Sequence, residues 1–132
     1  MKKTIILFLL VLFAQVTKAQ ESNLQRDPDA VYSSVGIEKA PEFPGGMKAF
    51  EEYIEKNFKY PDVKSLIGRV IVQFVIEKDG SLTDIRVLRD VGYGTGKEAI
   101  RVLKNCPKWS PGVHNGQILR IRYSLPINIE LR

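Results

Sequence analysis

From residue 119 to residue 131 the sequence alternates apolar and polar side chains almost without a break. Leu119, Ile121, Tyr123, Leu125, Ile127, Ile129 and Leu131 take the odd positions, and Arg120, Arg122, Ser124, Asn128 and Glu130 take the even ones, with Pro126 among them. A period of two marks a strand with one buried face. This stretch is more than twice the usual strand of about 5 or 6 residues. Pro126 has no N–H to give to a ladder, so the strand must lie at a sheet edge or carry a bulge. Whatever the chain folds into must supply a sheet to cover one face of this strand.

The upstream sequence provides it. Residues 69–77 form a β-branched, nearly continuous apolar run after Gly68, the pattern of a central strand. Lys78-Asp79-Gly80-Ser81 reads as a tight turn, and residues 82–89 as its hairpin partner, with Ile85 and Val87 inward and Asp84 and Arg86 between them. A Pro-Gly turn at residues 41–46 opens a helix over 47–57, with Met47, Phe50, Ile54 and Phe58 on one face. A second helix over 97–105, with Thr95 as its cap, follows the glycine-rich loop of residues 92–96 and buries Ile100 and Leu103, flanked by Ala99 and Cys106. Asn115-Gly116 marks one more turn. The expected fold is α+β: a small three-stranded antiparallel sheet in the order 2-1-3, with two helices on one face, over residues 41–132.

The beginning of the chain is of another kind. Lys2 and Lys3, the apolar run of residues 5–13 and the small residues flanking Lys18 read as a secretory signal peptide over 1–19. A spanning helix needs roughly 20 apolar residues, and Gln15 and Lys18 interrupt this run early. An uncleaved inner-membrane anchor is the alternative. Residues 20–40 lack a period and read as a flexible lead-in. The leader holds three lysines and no acid, so without it the net charge falls from +5 to +2. That charge on an exported chain gives nucleic acid little to bind.

Catalytic chemistry finds few carriers. One cysteine and one histidine exclude an internal disulfide and a Cys-based zinc centre. The glycine loop lacks the Gly-Lys-Ser/Thr of a phosphate cradle, because Glu98 follows Lys97. Cys106 and His114 are separated by Pro107, Trp109 and a turn, and Asp79, Asp84 and Asp90 form no metal loop. The expectation is a binding protein and not an enzyme, with no cofactor and no metal. The long last strand is the feature to explain. Exposed backbone along an edge invites pairing, so Arg120, Arg122 and Pro126 either protect it or flank a site where a partner adds a strand.

Tyr60-Pro61, the run Gly68 to Phe74, Glu77-Lys78-Asp79-Gly80, Trp109-Ser110-Pro111-Gly112 and the closing Ser124-Leu125-Pro126-Ile127, in that order, resemble the C-terminal domain of the TonB energy-transducer family. Pro41 to Gly46 resembles the versions from Bacteroides-like bacteria. The resemblance implies a periplasmic domain that takes the N-terminal peptide of an outer-membrane TonB-dependent receptor as an added strand, by β-augmentation, linked to outer-membrane transport. It implies partner contacts at Asn57, Tyr60 and Pro61, and along the last strand at Arg120, Arg122, Ser124 and Asn128. Full-length transducers of that family join a membrane anchor and a long Pro-rich spacer to this domain. A cleaved chain cannot itself draw on an inner-membrane gradient, so the expectation is a free-standing binding module. The alternative is a structural protein that pairs with itself through the last strand as a homodimer, with no role in transport.

Overall fold

The computed structural model describes residues 27–132. The expected signal peptide, and the lead-in up to residue 26, lie outside the described residues. Residues 31–132 form one compact unit. Its elements are β1 (Val31–Ser33), α1 (Gly46–Asn57), β2 (Leu66–Ile76), β3 (Leu82–Arg89), α2 (Thr95–Lys104), β4 (Gly112–His114) and β5 (Gln117–Leu131). No helix among the described residues is long and apolar enough to cross a membrane.

The three strands expected from periodicity lie in the expected order, with β2 between β3 and β5 and antiparallel to both. The β2–β5 register runs without a shift from Leu66↔Leu131 to Ile76↔Ile121. The sheet is not three-stranded or wholly antiparallel, however. β1 pairs with β5 in parallel, Val31 to Ser33 against Arg120 to Arg122, and β4 joins β5 as a short hairpin. The result is a mixed five-stranded sheet. Part of the segment expected to be a flexible lead-in is thus a strand. Three residues have no legible period, and β1 owes its order to the backbone of β5.

Alternation puts Val70, Val72, Phe74 and Ile76 of β2 and Leu125, Ile127 and Ile129 of β5 on one face, all buried. Phe50 and Ile54 of α1, Phe58 just after it, and Ala99, Val102 and Leu103 of α2 complete the core. Each such aliphatic or aromatic side chain contributes about 1.5–3 kcal/mol when fully buried. Met47, expected on the buried face of α1, is instead half exposed. Trp109 sits at the centre, with ring centroids 5.8 Å from Phe43, 5.7 Å from Phe50, 5.5 Å from Phe74 and 5.7 Å from Tyr123.

The β2–β3 turn is fixed by the same tryptophan. Trp109 N–H donates to Gly80 O at 2.9 Å, and a Cβ at position 80 would lie 2.0 Å from Trp109 O. Gly80 also has a φ of 87°, so glycine answers both demands there. Asn115 and Gly116, both at positive φ, make the two-residue turn of the β4–β5 hairpin. Thr95 is not the cap of α2. Gly94 is, and the Thr95 hydroxyl instead donates to Asp90 Oδ1 at 2.8 Å.

Candidate functional site

The last strand has two sides in the sheet plane. One is filled by β2 along the whole of residues 121–131. On the other, β1 covers Arg120 to Arg122, and among the described residues no strand pairs beyond Arg122. The sequence-based expectation of an edge strand therefore holds for residues 124–130, while the start of β5 is interior. Pro126 gives the polarity of this edge. It pairs with Ile71 in an unbroken register, so its nitrogen faces away from β2. Backbone groups alternate sides along an antiparallel strand. The amides of Ser124, Asn128 and Glu130 therefore face the open edge, as do the carbonyls of all four even positions from 124 to 130.

The even side chains stand on the sheet face opposite the helices and form a polar network at the β1 end. Arg120 grips Glu77 with two bonds, Nε to Oε2 at 2.7 Å and Nη2 to Oε1 at 2.9 Å, and Thr83 Oγ1 donates to Glu77 Oε1 at 2.7 Å. The Arg120 bond, more than any other influence, holds the Glu77 carboxyl below its ordinary pKa. Arg122 Nη1 reaches Asp84 Oδ2 at 3.3 Å and Gln73 Oε1 at 3.4 Å. Arg86 Nε donates to Asp84 Oδ1 at 2.9 Å and lowers its pKa. Gln73 Nε2 donates to Ser124 Oγ at 3.3 Å.

Two hollows adjoin Ser124 on this face. One, of about 340 Å³, is lined by residues 31–34 with Gln73, Arg122 and Ser124. The other, of about 240 Å³, is lined by Arg69, Ile71, Ser124, Leu125 and Pro126.

The seven expected contact residues do not converge on one point. Arg120, Arg122, Ser124 and Asn128 share the outer face of β5, but the two arginines already hold acidic partners. Asn57 is the last residue of α1, and Tyr60 and Pro61 follow it before Leu66, which pairs with Leu131 at the other end of the strand. The ladder between those ends spans about 33 Å. Asn57 Nδ2 donates to Tyr53 O at 2.8 Å, and its own carbonyl accepts Arg101 Nη2 at 2.8 Å. Tyr60 packs against Phe58 with the rings tilted by 50° and centroids 5.0 Å apart, and it keeps 37% of its surface exposed. Burial, then the nearby Glu55, pushes its phenol pKa up. Pro61 O accepts Val63 N–H at 3.0 Å. The residues that reasoning from sequence missed are Val31 to Ser34. Their signal was faint: a β-branched residue and an aromatic between Pro28 and Gly36.

The groups considered for catalysis have structural neighbours. Asp90 accepts from Gly92 N at 2.7 Å and from the Thr95 hydroxyl, which comes first in lowering its pKa. The glycine loop is thus organised by its own carboxylate. His114 Nδ1 accepts Glu38 N–H at 3.3 Å, and burial raises the pKa of the half-buried Cys106. No group of three His, Cys, Asp or Glu side chains that could hold a metal occurs among the described residues.

No curated protein and no solved structure matches the chain. Residues 56–131 match the family model described as Gram-negative bacterial TonB protein C-terminal, a span from the end of α1 through β5. That is more than half of the 132 residues, and it contains the whole β3-β2-β5 sheet with its open edge. Domains of this family are non-enzymatic envelope modules that interact with outer-membrane proteins, and this chain belongs to the TonB C-terminal family.

Proposed function

We propose that the chain is a periplasmic binding module, exported by a cleaved signal peptide, that recognises the N-terminal peptide of an outer-membrane TonB-dependent receptor by adding it as a strand to β5. The observation that carries this reading is the open edge at residues 124–130, backed along its length by β2. Backbone pairing there would supply much of the affinity, and the flanking side chains of Arg122, Ser124 and Asn128 would tune it. Asn57, Tyr60 and Pro61 would meet the receptor beyond the far end of the strand.

The test is a pair of prolines. Ser124→Pro and Asn128→Pro each remove an amide that faces the edge and put a ring where the incoming strand must lie, while leaving the ladder to β2 intact. Both variants should fold with the parent's thermal midpoint to within a few degrees and lose capture of a receptor's N-terminal peptide. Unchanged capture by both would sink the reading. The self-pairing alternative uses the same edge. It predicts a parent that sediments as a dimer without any receptor, and proline variants that sediment as monomers. Intact-mass measurement of envelope protein tests export, with loss of residues 1–19 expected.

A further inference from the structure

Residues 31–34 lie outside the family match, yet they form one boundary of the open edge. β1 sits on the same side of β5 that a partner would use and takes the outward backbone groups of Arg120 and Arg122. The chain leaves β5 after Ser33, and the edge opens at Ser124. At that junction lies the larger hollow, walled by residues 31–34 on one side and by Gln73, Arg122 and Ser124 on the other.

β1 is held there by more than its own pairing. Just beyond it the chain is fastened twice to the strand region that follows α2. Lys39 and Val113 exchange backbone bonds of 3.0 and 2.9 Å, and Glu42 and Ser110 exchange bonds of 3.1 and 2.8 Å. Glu38 N–H is bound by His114 between β1 and the first of these bridges. A strand tethered so closely competes for β5 at an effective concentration of order millimolar. A partner peptide at micromolar concentration would not displace it and would take only the unpaired part of the edge.

We propose that β1 is a standing cap that sets the length and register of the partner strand. This rests on strand addition at β5. The partner pairs with residues 124–130 and stops against Ser33 and Ser34. Its last side chain on the outer face enters the hollow at the junction. The polar lining favours a carboxylate or an amide there: Arg122 and Arg86 share the single carboxylate of Asp84, and the Gln73 amide and the hydroxyls of Ser33, Ser34 and Ser124 complete the wall.

The experiment uses the full chain and a Tyr32→Pro variant, whose ring breaks the β1–β5 pairing at its middle residue. Val31 and Tyr32 are only partly buried and stand outside the central core, so the variant should keep its fold. Twelve-residue peptides selected on the parent from a displayed random library serve as probes, and each is trimmed from either end. On the parent, residues reaching past Ser124 toward β1 should add nothing to affinity. On Tyr32→Pro the full-length peptide should gain roughly tenfold while the trimmed one is unchanged.

Equal gains for trimmed and full peptides would overturn the proposal, since β1 would then mask the whole edge. Equal affinities across both proteins would overturn it too. Amide exchange in the free parent gives a second reading that needs no peptide: Arg122 N–H should exchange slowly and Ser124 N–H quickly. Similar fast rates would show that β1 does not stand on the strand. If the selected peptides protect amides elsewhere than β5, strand addition itself fails. Slow exchange at Arg122 would then still report the cap, now without a partner to limit.

Discussion

The two long strands that flank β2 present edges of opposite character. β5 keeps an unbroken register with β2, with its outward carbonyls in a row and its outward amides interrupted only at Pro126. β3 is shifted twice, between Ile71 and Val72 and between Gln73 and Val75 of its partner. The first shift leaves Leu88 as the extra residue, and the second falls at Asp84, which has a φ of 48°. Bulges twist a strand and break the regular row of donors and acceptors that another strand would need. One edge is thus blunted by geometry, whereas the other is capped for three residues and left open for the rest. Charge alone would not separate them, because arginines stand on both. Backbone regularity does.

The largest disturbance should come from the core that both edges share. Trp109 is 3% exposed and touches rings from α1, β2 and β5, so Trp109→Ala should cost about 3–5 kcal/mol by denaturant unfolding. Amide exchange should then quicken along β3 and β5 alike. If it quickened on only one of them, the two edges would not share a core.

Glu77 bears on β5 at its capped end. Its carboxyl pKa is depressed below 4.5, chiefly by the Arg120 bond. A depressed acid contributes stability above its unfolded pKa and loses it as pH falls through the folded value. Glu77→Gln should therefore lower stability by about 1 kcal/mol at pH 7, and the gap between variant and parent should close in urea titrations below pH 4.5. A gap that persists at low pH would assign the effect to packing instead. The smallest effect should come from the bulged edge. Leu88 is 56% exposed, and Leu88→Lys should change stability by less than about 0.5 kcal/mol and leave peptide capture by β5 unaltered. Lost capture would mean that β3 is part of the recognition surface.

How much of this was legible follows from where each element gets its order. β2, β3 and β5 write their burial into side-chain alternation, and the helices write theirs into three- and four-residue spacing. Their order and pairing could be read from residues such as Val70, Val72 and Ile127. β1 and β4 could not. Each has three residues, and each is ordered by a neighbour's backbone, which leaves no mark on side-chain type. The bulges of β3 were hidden for a similar reason: Asp84 and Leu88 fit a regular strand by composition, and only the pairing with β2 exposes the extra residues. Of the expected contacts, Ser124 and Asn128 stand on the outer face of the open edge, as the alternation implied. Arg120 stands on the same face and grips Glu77, an ion pair between residues 43 positions apart in sequence that leaves no local signature.

The pairing of β5 with β2 has a mechanical side. Eleven residue pairs join those strands in one ladder, whereas a strand laid on the open edge has only residues 124–130 to hold. Tension along the axis of such an added strand loads all its bonds together, in shear, and passes through β5 into the longer ladder behind it. The shorter joint yields first. A pull on a strand so added would part it from the domain before the domain lost its own last strand, so that such a contact would be a link with a built-in breaking point.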